Sequence, residues 1–180
     1  MTDIIVQKFG GTSVGSDERI SAVAQIIKNA KKENQVIVVV SAMSGETNRL
    51  INLAKSFGDN PDRREFDALI STGEKVSASL LAMALNSIGV KAKSFSASQI
   101  SMKTTGHHSK AKIIDVNVEK ILSTLDDDIV PIITGFQGVT ESGDVTTLGR
   151  GGSDTTAVAI AAHVNAARCD IYTDVDGIYT

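Results

Sequence analysis

The chain has 180 residues, 42% hydrophobic and 22% charged, with a formal net charge of -3 at pH 7, an ordinary globular composition of about one-domain length. That balance shows no basic stripe of the kind duplex-binding domains carry, which argues against a nucleic-acid partner. A single cysteine, Cys169, excludes an intrachain disulfide, and no apolar run approaches the roughly 18 residues of a membrane span. The N-terminus has neither a signal-peptide nor a transit-peptide pattern, so the expected location is the cytoplasm.

In chain order, the first predicted strand is Ile4-Ile5-Val6. A helix follows, with Ile20, Val23, Ala24 and Ile27 on one face and Ser16 as N-cap ahead of Asp17 and Glu18. Val36-Ile37-Val38-Val39-Val40 is apolar at every position, which suits a strand covered on both faces, as in a parallel sheet. Asp59-Asn60-Pro61-Asp62 is a turn leading into a long helical pattern through Phe66, Leu69, Ile70, Gly73, Val76, Leu80 and Leu81. The third strand is Ile129 to Ile133. A small-residue helix over Ala157, Val158, Ile160, Ala161, Ala162 and Val164, capped by Ser153, precedes the fourth strand at Cys169 to Tyr172. Strands alternating with helices predict an α/β fold with a mainly parallel sheet, in which ligands bind beyond the carboxyl ends of the strands.

Each predicted strand ends in a polar or glycine-rich turn: Lys8 to Ser13, Ser41 to Gly45, Thr134 to Gly138 and Thr173 to Gly177. At one sheet edge these form a crevice whose backbone N–H groups and helix N-termini suit an anion. No Walker segment and no strand-linked GxGxxG is present. Taken singly, each Gly-Gly pair is a tight turn; Lys8 beside Gly10-Gly11 adds a cation at a strand end. Gly149-Arg150-Gly151-Gly152-Ser153-Asp154 places a planar cationic fork between glycines where a helix begins. Asp154 and Ser153 also read as ordinary capping residues. Glu74, flanked by Ile70 and Gly73, is expected to be partly buried, although one helix glutamate is more commonly solvated. His107-His108 read as loop residues without a carboxylate partner at ligand spacing, His163 as an ordinary helix residue, Asp126-Asp127-Asp128 as a solvated turn, and Cys169 as a small core residue. The role of 102–112 stays open.

Lys8-Phe9-Gly10-Gly11-Thr12-Ser13 resembles the opening signature of the aspartate kinases, within the amino-acid kinase family. Val39 to Gly45, Ser71-Thr72-Gly73-Glu74, Gly149 to Asp154 and Thr173 to Thr180 are similar to its later motifs, in order. The resemblance spans the chain. It implies a three-layer αβα sandwich with a mainly parallel central sheet, incomplete at the C-terminus. Residues 1–180 would then belong to a catalytic domain whose remainder, with paired regulatory ACT domains, lies beyond them. The implied reaction is ATP-dependent phosphorylation of the β-carboxylate of L-aspartate to 4-phospho-L-aspartate, the first step toward lysine, threonine and methionine. ATP and Mg²⁺ are the implied cofactors, L-aspartate and ATP the small-molecule partners, and a homo-oligomer the full-length state, with no metal-ligating residue assigned.

The same resemblance assigns roles. Lys8 and Asp154 are catalytic, with Lys8 at the transferring phosphates and Asp154 organising it. Phe9, Gly10, Gly11 and Ser41 join Lys8 around the phosphates, while Thr173, Asp174 and Tyr179 line the nucleoside site. Thr47, Glu74, Arg150, Gly151, Gly152 and Ser153 hold aspartate, Arg150 through a carboxylate and Glu74 through the ammonium group. Two alternatives stay open: a family member with a different acceptor, and a non-catalytic nucleotide-binding fragment. The chain alone is expected to have little kinase activity and to bind ATP weakly.

Overall fold

Valine or isoleucine at every position of a strand demands cover on both faces, and the computed structural model, which describes residues 2–173, supplies it. In chain order the elements are β1 (Asp3–Phe9), α1 (Asp17–Ala30), β2 (Asn34–Val40), α2 (Glu46–Lys55), α3 (Arg63–Ile70), α4 (Thr72–Ser87) and β3 (Ala92–Phe95). There follow β4 (Met102–Thr104), β5 (Ile113–Val116), α5 (Glu119–Asp126), β6 (Val130–Thr134), β7 (Gln137–Val139), β8 (Val145–Thr147), α6 (Gly152–His163) and β9 (Arg168–Tyr172). The main sheet has the order β3-β6-β2-β1-β9, and all its pairings are parallel.

β2 lies at its centre, and its side chains divide between two cores. Val36, Val38 and Val40 join Ile20, Val23, Ile27, Ala78, Leu81 and Leu85 from α1 and α4. Ile37 and Val39 join Ile121, Leu125, Ala157 and Ile160 from α5 and α6. Each such Val, Ile or Leu side chain contributes about 1.5–3 kcal/mol on burial. Helix layer, sheet and helix layer make the αβα sandwich that the resemblance implied, around the parallel sheet expected from the strand and helix alternation. In α1, Ser16 accepts a hydrogen bond from the Arg19 N–H, and Ile20, Val23, Ala24 and Ile27 are buried, as read from the sequence.

Three local readings are corrected. The long helical pattern is two helices, divided at Ser71, whose carbonyl accepts a hydrogen bond from Gln137 Nε2 at 2.9 Å. The buried side of this run also differs from the apolar reading: Val76 is exposed, while the polar Asp67, Glu74 and Ser77 are buried. Together 63–87 have the length and composition of a membrane span, but half of the most apolar window is buried inside the fold, as in the core helix of a globular domain. At α6 the N-cap is Gly151, in the left-handed conformation at φ 72°, and Ser153 lies inside the first turn. The exposed side of this helix includes Val158. Finally, His108 does have a carboxylate partner, Asp67, with Nδ1 2.9 Å from Oδ2.

A second sheet, of order β5-β4-β7-β8, was not read from the sequence. It mixes antiparallel and parallel pairs, and its strands are only three or four residues long. Thr104 and Thr146 share a buried hydroxyl–hydroxyl hydrogen bond of 2.6 Å across it. Segment 102–112 is therefore β4 and the loop toward β5, and β8 delivers the chain to the glycine run at 149–152.

Candidate active site

Parallel pairing puts the carboxyl ends of all five main strands on one edge, so the predicted turns converge. A cavity of about 340 Å³ opens there. Lys8 reaches it from the end of β1, and Ser41 and Ala42 from the turn after β2. Thr47 belongs to α2, Glu74 to α4, Phe136 to the turn after β6, and 149–154 to the approach and first turn of α6. The first turns of α2, α4 and α6 thus face one space, which gives it positive potential from three helix dipoles.

Close approach of the turns depends on glycines, Gly11 and Gly152 among them. A Cβ on Gly11 would lie 2.7 Å from the Ala42 carbonyl oxygen, and one on Gly152 would lie 2.9 Å from the Phe136 ring. Both are forbidden contacts, so only glycine lets these segments meet. The turn after β2 is gripped from α4. The Ala42 N–H donates to Glu74 Oε1 at 3.1 Å, and Ser77 Oγ donates to the Ser41 carbonyl at 2.7 Å.

The charges are held under tension. Lys8 is 8% exposed, and its ammonium pairs with Asp154 Oδ1 at 2.7 Å. Glu74 is 2% exposed, more deeply buried than the sequence reading expected. Its Oε2 has no hydrogen-bond partner among the described residues. Burial pushes its carboxyl up to about 7, against a smaller opposing pull from the Ala42 N–H. Arg150, exposed between left-handed Gly149 and Gly151, makes no ion pair with another described residue. A carboxylate oxygen and a guanidinium that no described residue pairs, with a lysine–aspartate pair, around one small cavity can hold a zwitterion beside an anion.

The structure brings together most of the sequence-predicted site residues: Lys8, Ser41, Thr47, Glu74, Arg150, Gly151, Gly152, Ser153 and Asp154 all line the cavity. Phe9 does not. Its side chain is buried in the core beneath and stacks on Tyr172, with ring centroids 4.6 Å apart. Gly10 borders the Lys8 ammonium, but its N–H is spent on the Tyr172 carbonyl at 3.2 Å. Thr173 follows β9 at the same edge, outside this cavity, and Asp174 and Tyr179 lie outside the described residues. Phe136 was missed. Its left-handed backbone, at φ 69°, is rare for a bulky residue and has no marker in the sequence. It is pinned by the Thr156 hydroxyl, which accepts from its N–H, and by the Leu148 N–H, which donates to its carbonyl.

Comparison with known proteins agrees with this architecture. Residues 3–180 match the model of the amino acid kinase family. An aspartokinase of Geobacillus stearothermophilus is 54% identical over 178 residues, covering 98% of this chain and 44% of that protein. The chain thus spans less than half the length of that relative. The crystal structure of aspartate kinase from Synechocystis superposes with a TM-score of 0.82 at 47% identity, over 97% of this chain and 29% of that one. Aspartokinase III of Escherichia coli, in complex with aspartate and ADP, superposes with a TM-score of 0.89 at 28% identity, over 99% of this chain and 51% of that one. With the parallel sheet, the glycine-dependent turns and the family match in agreement, the chain belongs to the amino acid kinase family.

Proposed function

We propose that this chain is the N-terminal part of an aspartate kinase catalytic domain, which transfers the γ-phosphoryl group of ATP to the β-carboxylate of L-aspartate. One observation carries the reading. A single cavity is lined by the ion pair of buried Lys8 with half-exposed Asp154, by Glu74, whose Oε2 has no hydrogen-bond partner among the described residues, and by Arg150, which pairs with no described carboxylate. An amino-acid ammonium satisfies Glu74, and a carboxylate takes the two-pronged guanidinium of Arg150. Thr47 and the first turn of α6 close the sides. The relatives named above, and aspartate with ADP in one of them, support the same choice of acceptor and donor.

The chemistry needs no general base, because the acceptor is already a carboxylate. It needs two repelling anions held in line and charge neutralised as it moves. Lys8 supplies a fixed positive charge at the phosphates, and Asp154 holds its ammonium in place. The Ser41 hydroxyl offers a donor at the end of β2, its N–H being taken by the Phe9 carbonyl at 3.1 Å. Among the described residues no three His, Cys, Asp or Glu side chains gather into a metal cage. The donor set therefore fits a Mg²⁺ held chiefly by nucleotide phosphates, where it would supply charge neutralisation on the transferring group. The test is a coupled assay of the full-length protein with MgATP and a panel of aspartate, glutamate, acetylglutamate and UMP. Turnover with aspartate alone is expected; preference for another acceptor overturns the assignment.

A further inference from the structure

Asp67, on α3, is 0% exposed. A carboxylate taken out of water persists only where donors replace its hydration, and here five do. Oδ2 accepts from His108 Nδ1 at 2.9 Å, the Ser109 N–H at 2.9 Å and the Thr147 N–H at 3.0 Å. Oδ1 accepts from Thr147 Oγ1 at 2.8 Å and Ser109 Oγ at 3.2 Å. One side chain thereby ties α3 to the loop between β4 and β5 and to the last residue of β8.

The chain runs from Thr147 straight into the Arg150 loop. Leu148 is fixed by its N–H on the Phe136 carbonyl at 2.9 Å. Gly149 presses on the same knot: a Cβ there would lie 3.4 Å from the Ser109 carbonyl oxygen. On the other side, α3 leads through Ser71 into the first turn of α4, which carries Glu74. Asp67 therefore connects the elements that present Glu74 and Arg150 to the cavity, without lining it.

We propose that Asp67 is a positioning residue for acceptor recognition, fixing the Arg150 loop relative to Glu74 through His108, Ser109 and Thr147. The proposal rests on the reading above, in which these two residues hold the acceptor's carboxylate and ammonium. The geometry requires acceptors at this position. The Ser109 and Thr147 N–H groups on Oδ2 can only donate, so an asparagine nitrogen there would oppose them; at Oδ1 it would meet two hydroxyls that can turn to accept, but the negative charge shared by the five donors would be lost.

The test uses the full-length protein with Thr147→Val, Asp67→Asn and Arg150→Ala, each checked for wild-type circular dichroism. Aspartate and ATP KM values are measured, together with the rate of tryptic cleavage after Arg150 in the ligand-free protein. Because displacements of about 1 Å can cost about 100-fold in such sites, Thr147→Val is expected to raise the aspartate KM about tenfold or more, and Asp67→Asn, which loses the charge but keeps an acceptor for the two N–H groups, by a smaller factor. The ATP KM should stay within about twofold, and cleavage after Arg150 should accelerate about tenfold as the loop opens locally. If Asp67→Asn fails to fold, Thr147→Val decides alone. A folded Thr147→Val with unchanged aspartate KM and unchanged cleavage overturns the inference, as does an equal rise in both KM values. If Arg150→Ala leaves the aspartate KM unchanged, the acceptor reading falls instead, and the cleavage rate still decides whether Asp67 holds the loop.

Discussion

Two carboxylates sit almost fully buried on the α3–α4 run, and their surroundings differ sharply. Asp67 accepts five hydrogen bonds. Among the described residues Glu74 is given one by another residue, the Ala42 N–H, and its Oε2 has no partner. The fold supplies a full set of donors to the first, so that charge is part of the framework. It leaves the second incomplete, so burial opposes its ionisation until something positive enters the cavity. The donor count separates a residue that holds the protein together from one that faces a ligand, where burial alone makes them look alike.

The strongest way to break this contrast is to remove Asp67. Asp67→Ala deprives two backbone N–H groups, two hydroxyls and a histidine ring of their acceptor at once. Losing one member of a buried charged network costs about 3–5 kcal/mol, so a large loss of stability in urea denaturation is expected. A loss below about 1 kcal/mol would show that water replaces the carboxylate and that the knot is not structural. On the cavity side the corresponding loss is in turnover. Lys8→Ala removes a preorganised cation, and such losses cost about 100- to 1,000-fold in kcat, with the fold retained because β1 is held by its neighbours on both sides. Near-normal activity in the ATP and aspartate assay would sink the proposed role of Lys8.

The two carboxylates were also unequally legible in the sequence. Glu74 stands in a motif of local residues, Ser71-Thr72-Gly73-Glu74, and could be singled out. Asp67 has all its partners far along the chain, in 108–109 and at Thr147, and no periodicity marks it. The same distinction runs through the fold. Most of the main sheet was readable because β1, β2 and β6 carry apolar runs buried on both faces; β3, Ala-Lys-Ser-Phe at the sheet edge, carries no such run and was not read. The second sheet was not, because strands of three residues carry too little pattern and are fixed by contacts such as Thr104 with Thr146. The break at Ser71 depends on Gln137, and the left-handed Phe136 on Thr156 and Leu148. Each is a long-range hydrogen bond that a local window cannot contain.

Glu74→Gln tests the incomplete member of the pair. The folded carboxyl stands at about 7, above its ordinary 4.5. Between those values the folded protein therefore binds the extra proton, and its stability falls as pH rises through that window. Below about pH 4.5 the contribution is fully present, and above about pH 7 it is gone. The difference corresponds to about 3 kcal/mol. Wild type should lose this much in denaturation between about pH 5 and pH 8, and Glu74→Gln should not. Every other side chain is the same in both proteins, so the comparison isolates position 74. Lys8, Arg150 and Asp154 line the same cavity and are likewise unchanged. Aspartate binding near pH 6.5 should release a proton from wild type only, because an ammonium against Oε2 favours the charged form; calorimetry in two buffers of different ionisation enthalpy measures it. Identical pH profiles for the two proteins would remove Glu74 from the ligand-facing class.

The smallest expected effect falls one turn further along α4. Ser77 is 0% exposed and donates to the Ser41 carbonyl at 2.7 Å, gripping the same turn as Glu74 but with neutral groups on both sides. Ser77→Ala leaves that carbonyl without its hydroxyl partner, which costs about 1 kcal/mol. Nothing that titrates between about pH 5 and pH 8 is altered, so the pH slope of stability should match wild type. This makes Ser77→Ala the control that sharpens the contrast. If it flattened the slope as Glu74→Gln does, the pH dependence would belong to general loosening of the turn after β2. An unchanged slope with a small uniform loss assigns the dependence to the unpartnered oxygen of Glu74, the group the cavity leaves for a ligand.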